Sequence, residues 1–204
     1  MTLAPIASVD ASAMRWLRTG SRPPAFELWA GDQRVESLRW SKSTGSYAEG
    51  ESSDARWTLK RGGFLHPHTT LRRAGDDGDV ARITLHLGEH RRSSGDPPGP
   101  SPLVGEYYHK IDFAGGETYR FHRAGVHLPA WKITTDQELE LVHIEPIREG
   151  RTLTGAAVLV TPDGVKSTAL GNLLLFSWYF IVLAWFEDEA LLPFEKALSE
   201  VEKL

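Results

Sequence analysis

The stretch ALGNLLLFSWYFIVLAWF, Ala169 to Phe186, runs for 18 residues without a charged side chain. Its large apolar residues, Trp178 and Trp185 among them, fall on every face of a helix. Such a helix sits either inside a protein or inside a membrane. At about 1.5 Å per residue it spans about 27 Å. A membrane crossing needs about 20 apolar residues to cover about 30 Å of hydrocarbon. Lys166 is the one basic residue close by, and Glu187-Asp188-Glu189 follows, so the charges that orient a span are nearly missing. The favoured expectation is a helix wrapped by the rest of the chain, and a membrane span is the alternative.

What precedes the helix reads as strands. Phe26 and Leu28, the Gly31-Asp32 turn and Val35 to Trp40 form a hairpin pattern. Arg56 to Lys60 alternates polar and apolar residues before Gly62-Gly63. Thr69 to Arg73 and Val80 to Leu87 flank the turn signal Asp76-Asp77-Gly78. In the second of these, Ile83, Leu85 and Leu87 share one face and Arg82, Thr84 and His86 the other. The pattern returns at Tyr107 to Phe113, Tyr119 to Arg123, Trp131 to Thr134, Glu138 to Ile144 and Thr152 to Val160, with a turn at Asp163-Gly164. Eight to twelve short strands without interleaved amphipathic helices predict an antiparallel sandwich or barrel. The expected fold is mainly β: a closed antiparallel barrel around helix 169–186, plus a short amphipathic terminal helix.

Three other segments complete the organisation. Residues 1–25 read as an N-terminal arm, with a short helix over Ala11 to Arg18 ended by Gly20 and Pro23-Pro24. Arg91 to Pro102, RRSSGDPPGPSP, contains four prolines and reads as a flexible surface loop. In the tail 187–204, Phe194, Ala197, Leu198, Val201 and Leu204 fall at helical spacing. The domain expected is therefore 26–186.

The chain has 204 residues, 41% hydrophobic and 25% charged, which is a globular composition for one domain. With no cysteine, disulfide scaffolds and thiolate metal sites are excluded, and a reducing compartment fits. A net charge of −4 argues against indiscriminate nucleic-acid binding. Met1 to Val9 lacks a basic region and an apolar core, so no export signal is read and the cytoplasm is expected.

This order of elements resembles the tubby C-terminal-like superfamily, which includes tubby domains, LURP-one-related proteins and phospholipid scramblases. The likeness covers Phe26 to Phe186. It rests on repeated strand pairs, on Trp57 and Trp131 in W-x-(L/I) strands, and on Leu173 to Phe186 as the helix. The resemblance implies a barrel of about twelve strands threaded by a hydrophobic helix. It also implies a non-enzymatic module, since tubby domains bind phosphoinositides.

Chemistry-bearing residues are sparse. Arg56, Lys60, Arg61, Arg72 and Arg73 form the one basic concentration, with His66 and His68 between them and no acid from Arg56 to Arg73. Paired strands would give several of them one solvent face able to hold phosphate oxygens, as the headgroup face of the resemblance, or simply a solvated, edge-protecting face. His86-Leu87-Gly88-Glu89-His90 spells H-x-x-E-H, but that zinc chemistry needs a helix and this stretch leaves a strand. His66 and His68 lack a third ligand. Asp136, Glu138 and Glu140 offer carboxylate spacing compatible with glycoside hydrolysis, though solvated strand acids are the plainer reading. Trp16, Trp29, Trp40, Trp57 and Trp131 either line a stacking groove or pack the barrel. No nucleophile elbow, Walker loop or dinucleotide fingerprint occurs, and no cofactor is expected.

The expected function is a binding module for an anionic lipid headgroup through Arg56, Lys60, Arg61, Arg72 and Arg73, cytoplasmic or peripheral to a membrane. The rivals are a protein-interaction domain using the tail from Phe194 to Leu204, and a membrane-anchored, scramblase-like protein spanning through Leu173 to Phe186.

Overall fold

The computed structural model describes residues 2–43, 45–63, 67–87, 107–124 and 130–201, the side chains of 87, 107 and 187–201 excepted. The first six strands are β1 (Ala13–Ser21), β2 (Pro24–Ala30), β3 (Gln33–Trp40), β4 (Ala48–Glu51), β5 (Arg56–Gly62) and β6 (His68–Arg73). They are followed by β7 (Asp79–Leu87), β8 (Tyr107–Phe113), β9 (Thr118–Ala124), β10 (Ala130–Thr135), β11 (Glu140–Glu149) and β12 (Thr152–Val160). A one-turn helix α1 (Pro162–Val165) and the long helix α2 (Leu170–Val201) close the order.

Each strand pairs antiparallel with its neighbours in sequence, and β1 pairs with β12, so the meander closes into a barrel of twelve strands among the described residues. The seam runs from Ala13 opposite Leu159 to Leu17 opposite Gly155. A Cβ on Gly155 would lie 2.1 Å from the Trp16 carbonyl oxygen, so the two strands meet this closely only because that position has no side chain.

Helix α2 occupies the lumen. An α-helix turns about 100° per residue, so successive side chains sample different walls. Trp178 stacks on Trp16 of β1 at 5.8 Å and meets Phe26 of β2 edge-on at 5.3 Å. Tyr179 stacks on Trp40 of β3 at 5.4 Å. Phe180 meets His109 of β8 at 4.4 Å, Phe121 of β9 at 5.7 Å and Trp131 of β10 at 6.0 Å. One turn of helix thus touches strands from both sides of the barrel. Leu173, Leu174, Leu175, Phe176, Trp178, Tyr179 and Val182 are fully buried. Burying each such side chain stabilises by about 1.5–3 kcal/mol. Gly50 of β4 makes room for this rod, because a Cβ there would lie 2.7 Å from Leu175. At the upper mouth the Tyr179 hydroxyl donates to the Ser46 carbonyl and the Trp185 indole donates to the Arg151 carbonyl at 3.3 Å. Among the described residues no helix is long and apolar enough to cross a membrane.

Several expectations need correction. Ala11 to Arg18 is not a helix in a loose arm: Ala13–Ser21 is strand β1, and it closes the barrel. Met14 and Trp16 face inward with period two, but the partner that fixes this lies on β12, far along the chain. Pro23-Pro24 ends β1 and opens β2 instead of stopping a helix, so the barrel begins near Ala13 and not at Phe26. The apolar helix does not stop at Phe186, since α2 continues through the acidic triplet to Val201. Asp163-Gly164 lies in α1, whose Thr161 hydroxyl accepts from the Gly164 amide at 3.1 Å. Leu85 shares the face of Ile83, as its alternation implies, and is 56% exposed near the end of β7. The proline-rich stretch 91–102 lies outside the described residues, as do the side chains of the amphipathic tail.

Two titratable groups sit against α2. At the barrel floor Glu36, 1% exposed, points inward beside Gly171 in the first helical turn. Its Oε2 has no hydrogen-bond partner, and it borders a cavity of about 100 Å³ with Ser53, Asp54, Thr168 and Asn172. Burial, and secondarily the charge of Asp54, raise its carboxyl well above the usual range. Higher up, burial and then the Arg61 charge push His109 down to about 4.

These shifts have opposite signs in pH. The unfolded chain protonates His109 near 6.5 while the folded chain resists until about 4, so stability is lost as pH falls through that window. Glu36 holds its proton in the fold beyond the pH at which the unfolded chain releases it, so stability is lost as pH rises above about 4.5. Thermal melts between pH 4 and 9 should show Glu36→Gln removing the alkaline decline and His109→Phe softening the acid one. Parallel curves for wild type and Glu36→Gln would assign the titration elsewhere. Trp178→Ala should cost about 3–5 kcal/mol in urea unfolding.

Candidate functional site

The five expected basic residues are divided by the pairing of β5 with β6. Arg73 lies opposite Trp57, Arg72 opposite Thr58, Lys60 opposite Thr70, and Arg61 opposite Thr69. Arg56, Lys60 and Arg72 therefore share the outer face, whereas Arg61 and Arg73 have the inward parity of Trp57 and Leu59. Arg73 stacks its guanidinium over the Trp57 ring at 5.8 Å. Arg61 lies near enough to His109 to act on its charge. On the outer face, Arg56 pairs with Glu51 at 3.5 Å and Arg72 with Asp79 at 2.7 Å. Burial pushes the Asp79 carboxyl up, but hydrogen bonds and charge from Arg82 and Arg72 outweigh it and hold the group low. Lys60 alone of the three has no ion pair among the described residues. Arg56 also borders a groove of about 660 Å³ over β2 to β5, where Arg34, Arg39 and Arg56 face Glu27, Glu49 and Glu51.

Other candidates dissolve into structure. Trp16, Trp40, Trp57 and Trp131 are buried packing residues. His66, Glu89 and His90 lie outside the described residues; among those described, no group of three His, Asp or Glu side chains could hold a metal. Asp136 and Glu138 lie beside Arg120, at 3.9 and 3.2 Å, and Glu140 accepts from Lys132 at 2.6 Å.

Those ion pairs lead to a site the sequence reading did not isolate. A groove of about 510 Å³ on the outer face of β8 to β11 is lined by Tyr108, Arg120, His122, Arg123, Lys132, Thr134, Glu138 and Glu140. The strands place most of these by alternation. Tyr119, Phe121, Trp131 and Ile133 pack the core, so Arg120, His122, Lys132 and Thr134 face out. In register, Thr134 lies opposite Arg120 on one side and Glu140 on the other, and Lys132 opposite His122 and His143. A bulge between Ile133 and Thr134 sets the Glu140 pairing, the kind of irregularity that re-aims side chains.

The floor of this groove carries an imbalance. Thr134 faces outward by register yet is only 5% exposed, and its hydroxyl has no hydrogen-bond partner. Opposite it, the Nε of Arg120 is likewise buried without a hydrogen bond, the Asp136 carboxylate lying 3.9 Å away. The Arg120 guanidinium lies over the Tyr108 ring at 5.3 Å, and its Nη1 donates to Glu138 at 3.2 Å. Glu138 reaches it from a turn where it adopts φ 65, a left-handed conformation rare outside glycine. Burial pushes Glu140 up, but the Lys132 hydrogen bond and charge, with His143, bring its carboxyl below the usual range. The groove thus presents buried N–H and O–H donors that make no hydrogen bond, with two flanking cations, while the Asp136 carboxylate stands off the Arg120 Nε at 3.9 Å. Along the chain only the carboxylates Glu138 and Glu140 stand out, and for another chemistry; the donors do not, because their meeting depends on which residues the register sets side by side.

No family model, curated protein or solved structure matches the chain.

Proposed function

We propose that this chain is a binding module without a reaction of its own, which holds a phosphate-bearing group on the outer face of its barrel. The observation that carries the reading is the pair of register-opposed buried donors that make no hydrogen bond, Arg120 Nε and the Thr134 hydroxyl, at the bottom of the β8–β11 groove. Leaving a donor buried and unpaired costs about 1–3 kcal/mol. An oxyanion seated between them accepts from both and gains charge-assisted bonds from the guanidinium, with Lys132 beside it. Water also supplies acceptors but no charge. A lipid headgroup and a free phosphate ester share this chemistry.

The twelve-strand barrel closed round a helix supports the likeness to the tubby-like superfamily and, through it, the headgroup source. The basic face of β5 and β6 is the rival location, favoured by Lys60, which has no ion pair among the described residues.

Calorimetric titration with inorganic phosphate and sedimentation with phosphatidylcholine vesicles, with and without phosphoinositide, test the reading. Saturable phosphate binding is expected, and Arg120→Ala should weaken it about tenfold or more, the worth of a charged hydrogen bond. Phosphate binding unaltered in that variant, or none at all, would overturn the site. Loss of binding in Lys60→Ala/Arg72→Ala instead would move it to the rival face. Thr134→Val discriminates further: removing an unpaired buried hydroxyl should leave the ligand-free melting temperature equal or higher while binding weakens.

A further inference from the structure

The groove's own charges narrow what the phosphate belongs to. Its lining carries Arg120, Arg123 and Lys132, and against them stand Glu138 and Glu140, with Asp136 at 3.9 Å from Arg120. Histidine aside, the cations and carboxylates are equal in number. A strongly anionic ligand, seated on the floor donors, therefore draws on Arg120 and Lys132, which already serve carboxylates. Glu138 is the more exposed of the two carboxylates on Arg120: its side chain is 77% exposed and accepts from Nη1 at 3.2 Å, whereas Asp136, 52% exposed, faces the Nε at 3.9 Å. Displaced by a phosphate oxygen, the Glu138 carboxylate remains at the rim, close to the bound anion. The two repel unless the ligand brings a positive charge of its own.

The turn that carries Glu138 keeps it there. The Glu138 amide donates to the Thr135 carbonyl at 3.0 Å, the Thr135 amide to the Leu139 carbonyl at 2.9 Å, and the Leu139 amide to the Thr135 hydroxyl at 3.3 Å. Backbone held at positive φ by such a net of bonds fixes where the Glu138 side chain leaves the turn and is a recurrent mark of ligand contacts. Carboxylate at the rim and donors at the floor match a molecule with an anion at one end and a hydrogen-bonding cation at the other.

We infer that the ligand of this groove is a zwitterion: a phosphate ester bearing a primary ammonium group, with phosphate on Arg120, Thr134 and Lys132 and the ammonium on Glu138. The inference rests on the phosphate reading above. Ethanolamine-type phosphate esters have this chemistry, whether free or as a phospholipid headgroup.

The test compares calorimetric titrations of the full chain with phosphoethanolamine, glycerol 3-phosphate and inorganic phosphate. Phosphoethanolamine should bind about two- to fivefold tighter than glycerol 3-phosphate, the gain expected of one added ion pair near the surface. Glu138→Gln should erase that preference by weakening phosphoethanolamine and tightening glycerol 3-phosphate. Equal affinity for the two esters in wild type, or a preference that survives Glu138→Gln, overturns the zwitterion and leaves the phosphate site standing. Failure of all three ligands to bind overturns the phosphate site itself. Given the preference, co-sedimentation with phosphatidylethanolamine vesicles but not phosphatidylglycerol vesicles assigns the lipid source, and binding of the soluble ester alone assigns a free one.

Discussion

A helix with no polar face has to be enclosed, and everything else in this molecule follows from how that is done. Barrels of about eight strands have interiors filled by their own side chains. Twelve strands leave a lumen wide enough for an α-helix, whose diameter with side chains is about 10–12 Å. The closure must be complete, because each unpaired strand would expose both its backbone groups and the rod behind it. The rod in turn supplies what the walls lack. Trp16, Phe26, Trp40, Phe121 and Trp131 point into a space that their own chains do not fill, and they find their partners on one turn, Trp178 to Phe180. Walls and plug are each unstable without the other. The core accepts a cost for this fit, since the indole N–H groups of Trp16, Trp40 and Trp178 are buried without acceptors. Aromatic packing outweighs those unpaired donors.

Local pattern made much of this legible. The apolar run at Ala169 to Phe186 and the alternation from Phe26 to Val160 predict a barrel around a helix before any pairing is known. The misread parts are those where local pattern carries two meanings. Ala11 to Arg18 has spacing compatible with a helix, and only β12, reached through the barrel seam, makes it a strand. Strand β4, Ala-Glu-Gly-Glu, is too short and too polar to announce itself, although Gly50 is the position where the wall must thin for Leu175. The end of the helix was misplaced because a charge cluster ends an apolar face without ending the backbone hydrogen bonds.

The outer sites were harder for the same reason. Arg56 to Arg73 is a cationic run along the chain, but strand parity splits Arg61 and Arg73 from the other three, Arg73 lying exposed at the end of β6, and leaves acids from other strands beside Arg56 and Arg72. The β8–β11 groove draws Tyr108 from β8, Arg120 from β9, and Thr134 and Glu138 from the β10–β11 hairpin, and of these only Glu138 stands out along the chain. Charge along a chain predicts a surface; charge across a register predicts a site. The second quantity needs every hairpin alignment and every bulge, including the one beside Thr134.

The order of the barrel along the chain has a consequence for its biosynthesis. All the wall strands leave the ribosome before the plug does, and the first of them waits for β12 before its outer edge is covered. Until then the nascent molecule is an open, greasy trough with two sticky edges, the sort of intermediate that aggregates or recruits chaperones. Contacts this distant in sequence also make slow folding intrinsic to the design. Helix α2 therefore acts as a late checkpoint, and a chain that stalls before Leu170 has no way to seal itself from the cell's hydrophobic surfaces.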